Sequence, residues 1–172
     1  MRQLFVLDRG DYDPAWPCVR RPSVRAIIRC DDRVAMVWSK RYDVYSAPGG
    51  GLESGETDEQ ALAREVLEET GLTLDVRSIR PYGSVMRRKR DTLHAEPMWF
   101  EQENRYYLCR AGKETCAQHL EDYEAEEGYT LAYVTPQEAI AANRRPHPDY
   151  EEDVLEREAR VLEMLLREGE LS

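Results

Sequence analysis

Cysteine and histidine are scarce in this 172-residue sequence, and neither residue is arranged as a set of ligands. Its four cysteines form no C-x-x-C pair, and none of its three histidines lies in a metal-binding or catalytic-triad pattern. These absences argue against a thiolate metal site and against a disulfide framework. We therefore expect buried, reduced thiols and a cytoplasmic protein.

Long apolar runs and excess positive charge are also missing. No apolar run near the N-terminus is long enough for a signal peptide or a membrane span. The formal net charge of −10 argues against broad electrostatic binding to nucleic acid or to an anionic membrane. We expect residues 1–172 to form a single domain with a sizeable core and with no nucleic-acid or membrane partner.

Acidic residues are concentrated in the stretch from Gly50 to Leu72. Glu65, Glu68 and Glu69 have the spacing i, i+3 and i+4, which places three carboxylates on one face of a helix. Like charges this close destabilise a bare helix, and their oxygens suit a hard divalent cation, Mg²⁺ first and Mn²⁺ second. The pattern predicts a metal, and a substrate that the metal can bind, such as a phosphate.

Local signals set the limits of this helix. Thr57 and Gln60 fit a capping box that begins a helix near Asp58, and Gly71 is placed to end it. The run from Pro48 to Gly51 predicts a tight turn, whose glycines allow the backbone to approach a ligand closely. The sequence therefore predicts a loop followed by an acidic helix.

This stretch resembles the Nudix box, G-x5-E-x7-R-E-U-x-E-E-x-G-U, in which U is a bulky aliphatic residue. The matching residues, in chain order, are Gly50, Glu56, Arg64, Glu65, Val66, Glu68, Glu69, Gly71 and Leu72. Every specified position is present at the required spacing, which disfavours the alternative of an ordinary acidic helix facing solvent. The box is a small part of the chain, so it indicates fold and chemistry but not the substrate.

The resemblance implies an α/β protein with the Nudix fold, a mixed β-sheet sandwiched between α-helices. It implies a metal-dependent hydrolase that cleaves a diphosphate linkage in a nucleoside diphosphate joined to another moiety, such as a nucleoside triphosphate, ADP-ribose or a related nucleotide. Glu65, Glu68 and Glu69 would be catalytic and, with Glu56, would bind Mg²⁺ or Mn²⁺. Arg64 would be catalytic through orienting these acids.

Residues outside the box would complete the site. The resemblance favours a basic residue near the substrate phosphates, for which Arg41 is the candidate, beside Gly49 and Gly50 of the loop. An exposed loop position is the equally supported alternative for Arg41.

Many Nudix enzymes also take an acid from a loop outside the box. The acid-rich segment 118–128 supplies the two preferred candidates, Glu124 and Glu127, while Glu101 and Glu103 are rivals. The general base stays open among Glu68, Glu69 and this outer acid.

The remaining pattern predicts the other elements. Strands are expected at residues 3–7, 24–30, 33–38, 74–79, 82–88, 97–100, 104–109 and 129–134, and a helix after Thr135. Residues 1–18 form an N-terminal strand and arm, and 149–168 a C-terminal amphipathic helix. The basic run 87–90 is expected at an exposed hairpin tip, with a phosphate clamp or an oligomer contact as alternatives. The last helix is expected to pack on the domain, with a homodimer as the alternative.

Two other functions share the implied fold. One is a non-catalytic sensor of a nucleotide or ADP-ribose, which is expected to lose box acids or to gain a DNA-binding domain. The other is an isomerase of an isoprenoid diphosphate, which needs its own catalytic cysteine and acid. The box acids are all present, no DNA-binding domain is recognised, and no cysteine and acid of the isomerase kind can be located in the sequence. We therefore favour the hydrolase.

Overall fold

The computed structural model describes residues 1–112 and 114–172. The strands are β1 (Gln3–Asp8), β2 (Cys18–Arg20), β3 (Ser23–Cys30), β4 (Arg33–Ser39), β5 (Val44–Ser46), β6 (Leu72–Leu74), β7 (Arg80–Arg90), β8 (Trp99–Cys109), β9 (Ala111–Thr115) and β10 (Tyr129–Val134). The helices are α1 (Asp58–Thr70), α2 (Asp122–Glu127), α3 (Pro136–Asn143) and α4 (Glu152–Arg167).

Eight of the strands form one mixed sheet. Its order is β1-β7-β8-β3-β4-β10, with β2 also paired to β8 and β5 also paired to β4. β1 runs parallel to β7, and β3 and β2 run parallel to β8, whereas the other neighbours in this sheet are antiparallel. β6 and β9 form a separate antiparallel pair. The predicted hairpin between β3 and β4 is present, and Asp31 in its turn has a φ of 55°.

Helices cover both faces of the large sheet because its central strands are apolar on both sides. On one face α1 packs against β3, and the buried residues there include Val24, Ala26, Ile28, Ala61, Leu62 and Val66. On the other face lie α3 and α4, and the buried residues there include Ile27, Val85, Tyr106, Ala139, Val161, Leu162 and Leu165. The predicted sheet sandwiched between helices is confirmed. The apolar face of α4 that the homodimer alternative required is buried within the chain.

Two strand predictions are wrong, and hydrogen bonding explains both. The polar residues after Phe100 do not break the chain, since β8 is continuous: Glu101 pairs with Arg20 at 3.0 Å and with Arg88 at 2.9 Å on neighbouring strands. Residues 74–79 do not form a strand, since residues 76–78 make a 3₁₀ turn whose cap, Asp75, accepts a hydrogen bond from the following chain. A polar residue expected to break the chain is thus satisfied inside the sheet at Glu101, whereas at Asp75 a polar side chain stabilises a turn where a strand was expected.

The basic run does not lie at a hairpin tip. All of 87–90 belongs to β7, and the connection to β8 follows it. Arg87 is 5% exposed and bonds to α4 and its N-terminal end, with its Nη2 at 2.7 Å from Glu151 Oε2 and 2.8 Å from Asp153 Oδ2. Its charge is neutralised by these carboxylates, so this arginine is a structural link between the sheet and α4.

The thiol prediction is partly wrong. The four cysteines are free in the described part of the chain, and Cys109 is buried, as expected. Cys116, which follows β9, is exposed. Among the helices of residues 1–112 and 114–172, none is long and apolar enough to cross a membrane.

Candidate active site

The acidic helix α1 has the predicted limits. Thr57 is its N-cap: the Thr57 side chain accepts from the Gln60 amide at 3.3 Å, and the Gln60 side chain accepts from the Thr57 amide at 2.9 Å. Gly71 ends the helix with a φ of 72° and donates its amide to Leu67 O at 2.9 Å. Both ends are therefore satisfied by local residues, as the capping pattern requires.

Arg64 gathers three of the box acids. Its Nε and Nη2 donate to both oxygens of Glu56 at 2.9 and 3.0 Å, a two-point contact. Its Nη1 donates to Glu65 at 2.8 Å and to Glu68 at 3.1 Å, and its Nη2 also donates to Gly51 O at 3.1 Å. The bond from Arg64 lowers the pKa of Glu56. The guanidinium thus fixes the orientation of these carboxylates and joins them to the glycine loop.

Glu69 has a different environment although it lies on the same helix. It is 4% exposed, and its Oε2 accepts a hydrogen bond from Gly49 N at 2.7 Å. Burial raises the pKa of Glu69 to about 8, against the opposing charge of Arg25. Arg25 lies under the loop and donates to the carbonyl oxygens of Gly49 and Ala47. The Glu69 carboxylate is therefore buried against the backbone of the loop, where burial raises its pKa and the positive charge of Arg25 acts to lower it.

The glycine loop is an extension of the sheet. Gly50 O accepts from Val24 N at 3.0 Å, and Pro48 O accepts from Ala26 N at 2.8 Å. A side chain at Gly49, whose φ is 140°, would collide with the carbonyl of Val24, and one at Gly50 would collide with the carboxylate of Glu65. The loop backbone therefore closely approaches β3 and the carboxylate of Glu65, while its approach to a ligand stays a prediction.

The donor set fits a divalent cation. Within residues 1–112 and 114–172, no three acidic, histidine or cysteine side chains are arranged around a common metal position, since Arg64 draws Glu56, Glu65 and Glu68 to itself. One guanidinium faces three carboxylates, and the Glu68 side chain keeps 38% of its surface exposed. Carboxylate oxygens with excess negative charge are the ligands that Mg²⁺ and Mn²⁺ prefer.

The two preferred outer acids lie on α2 but face different surroundings. Glu124 is 4% exposed, and it accepts from Glu121 N at 2.8 Å and from Tyr123 OH at 3.0 Å. Its negative charge adds to the effect of burial in raising the pKa of Glu69. The side chain of Glu127 instead accepts from Ser39 Oγ at 3.4 Å. Of the two acids, Glu124 is therefore the one whose charge acts on a box acid, and it stays the candidate for the outer acid.

The rival acids and Arg41 have other neighbours. Glu101 is occupied by two arginines of the sheet, and Glu103 accepts from Arg105 Nε at 3.0 Å. Arg41 is exposed, with its guanidinium 5.2 Å from the centre of the Tyr42 ring, and its amide donates to the carbonyl of Glu127. Arg41 thus lies beside the C-terminal end of α2.

Sequence reasoning missed Arg25. The available signal was a charged residue in the middle of an apolar strand, between Val24 and Ala26. Such a residue needs polar partners when it is buried, and here the loop carbonyls provide them. Its Nε is buried without a hydrogen-bond partner among the described residues.

Comparison with known proteins identifies the family and supports the fold. A family model described as the NUDIX domain matches residues 19–157. The chain belongs to the Nudix family, which confirms the resemblance of the box. The RNA pyrophosphohydrolase of Mannheimia succiniciproducens is 37% identical over 95 residues, covering 51% of this chain and 48% of that protein. The RNA pyrophosphohydrolase of Aliivibrio fischeri is 36% identical over 97 residues, covering 52% of this chain and 56% of that protein.

The chain spans about half the length of these curated relatives. Solved structures agree on the fold. A NUDIX hydrolase from Nitrosomonas europaea superposes with a TM-score of 0.57 at 20% identity, covering 83% of this chain and 90% of that one. A MutT NUDIX hydrolase from Burkholderia pseudomallei gives a TM-score of 0.52 at 21% identity, covering 80% and 97%.

Proposed function

We propose that this protein is a metal-dependent hydrolase that cleaves a diphosphate linkage in a nucleoside diphosphate joined to another moiety. Nucleoside triphosphates, ADP-ribose and related nucleotides are the substrate class. The observation that carries the proposal is the convergence of Glu56, Glu65 and Glu68 on Arg64, beside a glycine loop that holds Glu69. Family membership and the similarity to proteins named RNA pyrophosphohydrolases support it. A sensor that has lost its box acids is disfavoured, because all of them are present.

The proposed roles follow from the surroundings of each acid. Glu56, Glu65, Glu68 and Glu69 are the carboxylates that hold Mg²⁺ or Mn²⁺, and Glu65, Glu68 and Glu69 are catalytic. The bound metal supplies shielding of the phosphate charge and lowers the pKa of an attacking water. Arg64 holds Glu56, Glu65 and Glu68 in a fixed relation to one another and to the glycine loop, which limits the reorientation that they need when a cation binds.

Charge determines the order of binding. Three carboxylates around one guanidinium repel an anionic phosphate, so we expect a divalent cation to bind before the substrate or with it. Gly49 and Gly50 have no space for a side chain, because Val24 O and the Glu65 carboxylate occupy the positions that a Cβ atom would need, and we keep both glycines as substrate-binding candidates. We keep Arg41 as a substrate-binding candidate beside the C-terminal end of α2, and Glu124 is the outer acid that we assign to the site.

An RNA end is the second candidate substrate. The relatives matched over about half of their length are named RNA pyrophosphohydrolases, which makes an RNA carrying a 5′-terminal triphosphate a direct test. The net charge of −10 opposes extended contacts with an RNA backbone. The absence of a nucleic-acid partner, the single domain and the cytoplasmic location stay predictions.

The experiment is a substrate panel assayed with Mg²⁺ and with Mn²⁺, with the products resolved by chromatography. It includes nucleoside triphosphates, ADP-ribose, dinucleoside polyphosphates, nucleotide sugars, a 5′-triphosphate RNA and an isoprenoid diphosphate. We expect release of phosphate, pyrophosphate or a nucleoside monophosphate, lost on chelation and restored by adding metal. Tight binding of one compound without turnover would support the sensor instead, and rearrangement of the isoprenoid would support the isomerase.

A further inference from the structure

A small open cavity lies beside α2, outside the group of box acids described above. Its volume is about 290 Å³, and it is bordered by α2, the start of β10 and the segment that leads into α4. Its principal lining residues are Tyr42, Tyr123, Glu127, Tyr129 and Tyr150, and we call it the tyrosine pocket. Pockets for whole ligands begin at about 300 Å³, so this volume suits one flat group of a larger molecule.

The tyrosine rings form two edge-to-face pairs. The ring centroids of Tyr42 and Tyr150 are 5.0 Å apart with an interplanar angle of 63°, and those of Tyr123 and Tyr129 are 6.3 Å apart at 80°. Tyr123 is 53% exposed, so its ring is accessible to a ligand. Aromatic faces around a narrow space are a stacking platform for a planar ring, and a nucleobase is such a ring.

The tyrosine pocket is connected to the box acids through Glu124. The hydroxyl of Tyr123 donates to Glu124 Oε1 at 3.0 Å, and the charge of Glu124 contributes to raising the pKa of Glu69. Burial raises the pKa of both Tyr123 and Tyr129, and the charge of Glu69 contributes to each shift. A ligand in the tyrosine pocket would therefore lie against the helix that carries Glu124, the outer acid that we assign to the site.

Charge decides which end of a nucleotide enters. Glu127, Asp149 and Glu151 line the tyrosine pocket, and the charge of Arg41 acts on Glu127. Glu151 is paired with Arg87 and Lys89, so Glu127 and Asp149 are the carboxylates that repel phosphate and favour a neutral group with hydrogen-bond donors. Glu127 accepts from Ser39 Oγ at 3.4 Å and interacts with the Tyr129 side chain, and because a carboxylate has about four acceptor positions, some are left for a ligand.

We propose that the tyrosine pocket is the base subsite of this hydrolase and that it selects guanine. The base would stack on the tyrosine rings, and the Glu127 carboxylate would accept from guanine N1–H and from its 2-amino group. Adenine presents an acceptor nitrogen beside its amino group, and hypoxanthine lacks the amino group, so each forms one of these two bonds at most. This inference depends on the proposed function for its location but names the base independently of the bond cleaved.

The test measures binding of GMP, IMP and AMP to the full chain by isothermal titration calorimetry. Nucleoside monophosphates have no diphosphate linkage, so their binding reports on the base subsite whether or not the protein is a hydrolase. We expect GMP to bind roughly tenfold or more tightly than IMP or AMP, as one hydrogen bond to a charged group predicts. Equal affinity for the three, or no detectable binding of GMP, would overturn the inference.

Variants assign the preference to particular residues. Glu127→Gln should reduce the preference for GMP over IMP to about twofold or less, because the amide offers one acceptor oxygen instead of two. Tyr150→Ala should weaken GMP binding by roughly 5–100-fold through lost stacking, whereas Tyr150→Phe should keep it within about threefold. Unchanged GMP binding in both Glu127→Gln and Tyr150→Ala contradicts the placement of the base.

Matched controls lie on the same elements outside the tyrosine pocket. Glu126→Gln changes an exposed acid of α2, and Tyr133→Ala removes an exposed ring of β10 that is 42% exposed. Neither should change the affinity for GMP, and thermal unfolding verifies that each variant is folded. If GMP selectivity is present while the substrate panel gives no turnover, the hydrolase proposal fails and the base assignment stands. If the substrate panel gives turnover but GMP, IMP and AMP bind equally, the base assignment fails and the hydrolase proposal stands.

Discussion

Arg64 and Arg157 each organise acidic and polar side chains, on opposite faces of the sheet and with opposite results. Arg157 is 1% exposed, and its Nε and Nη2 donate to Glu158 Oε1 at 3.0 and 2.7 Å, while its Nη1 donates to Asn104 Oδ1 at 2.6 Å. Tyr106 OH completes this network by donating to the same Glu158 oxygen at 3.1 Å. One positive charge meets one negative charge, and the network is closed to solvent.

The network around Arg64 is open and unbalanced. The same kind of side chain faces Glu56, Glu65 and Glu68, and the arginine side chain itself is 25% exposed. A neutral buried network fixes geometry, whereas an accessible cluster with excess negative charge keeps affinity for a further cation. The contrast separates a structural use of arginine from a functional one, and four changes test it.

Removing Arg157 should have the largest effect on stability. Arg157→Met leaves Glu158 and Asn104 buried without their partner, which should lower the free energy of unfolding by about 3–5 kcal/mol in urea denaturation. Arg167→Met, at an exposed position of the same helix, is the control and should change it by less than about 0.5 kcal/mol. Equal effects of the two variants would mean that the buried network does not hold α4.

Neutralising Glu69 should have the largest effect on activity. Glu69→Gln keeps an acceptor for Gly49 N but removes a carboxylate, so we expect turnover to fall roughly 100- to 1,000-fold, equivalent to about 3–4 kcal/mol. The thermal unfolding temperature should not fall, because the change also removes a buried acid. Glu59→Gln, an exposed acid in the first turn of α1, should be fully active. Full activity of Glu69→Gln with Mg²⁺ would show that the assignment of the box acids is wrong.

Replacing the guanidinium of Arg64 with an ammonium group should have a smaller effect on turnover. Arg64→Lys keeps the positive charge but loses the fork that reaches Glu56, Glu65 and Glu68 together, so turnover should fall about tenfold, equivalent to about 1.4 kcal/mol. The free energy of unfolding should change by less than about 1 kcal/mol because the cluster is partly exposed. Arg77→Lys, at an exposed position, provides the comparison. An Arg64→Lys enzyme with wild-type turnover would contradict a role in orientation.

The ion pair between Arg87 and Asp153 links the sheet to α4, and its contribution to the free energy of unfolding should depend on pH. Burial acts to raise the pKa of Asp153, but the ion pairs with Arg87 and Arg9 outweigh it, so the pKa is lowered. A lowered folded-state pKa stabilises the protein above the unfolded value, about 3.9, and this contribution is lost as the pH falls through the folded value. The slope per proton cannot exceed about 1.4 kcal/mol per pH unit.

The measurement for this last prediction is the free energy of unfolding between pH 7 and pH 3. Wild type should lose stability more steeply than Asp153→Asn at the acidic end, so the difference between the two proteins should shrink as the pH falls. Parallel curves would show that this carboxyl has the same pKa in the folded and unfolded chains.

Local rules were enough for the helix and its loop. The capping pair Thr57 and Gln60 and the terminal Gly71 act within a few residues of the helix ends, so the sequence predicts them without knowledge of the fold. The carboxylate spacing is equally local, and it placed Glu65 and Glu68 on one side of α1 correctly. What spacing could not predict is that Glu69 turns to the backbone of the loop.

Contacts between distant residues account for the errors. Nothing near Glu101 in the sequence shows that Arg20 and Arg88 lie on the neighbouring strands, so a stretch of polar residues was interpreted as a break. Arg87 is a similar case, because its carboxylate partners, Glu151 and Asp153, are more than 60 residues away. Buried charge is hard to predict from sequence because each charge is tolerated only through a partner that the fold supplies.

The segment before the glycine loop is hydrogen-bonded to α3 and α4, which lie near the C-terminus. Ala47 N donates to Glu158 Oε2 at 3.0 Å, and Asn143 bonds to both the amide and the carbonyl of Tyr45 at 2.8 and 2.7 Å. These links join residues about 100 positions apart, so they close late in folding, when loop-closure entropy has been overcome. During synthesis the residues of the acidic helix and of the glycine loop emerge before α3 and α4, so the segment from Tyr45 to Ala47 has to wait for its partners. We therefore expect a chain halted before α3 to carry every box residue while the segment that leads into the glycine loop lacks its links to Glu158 and Asn143.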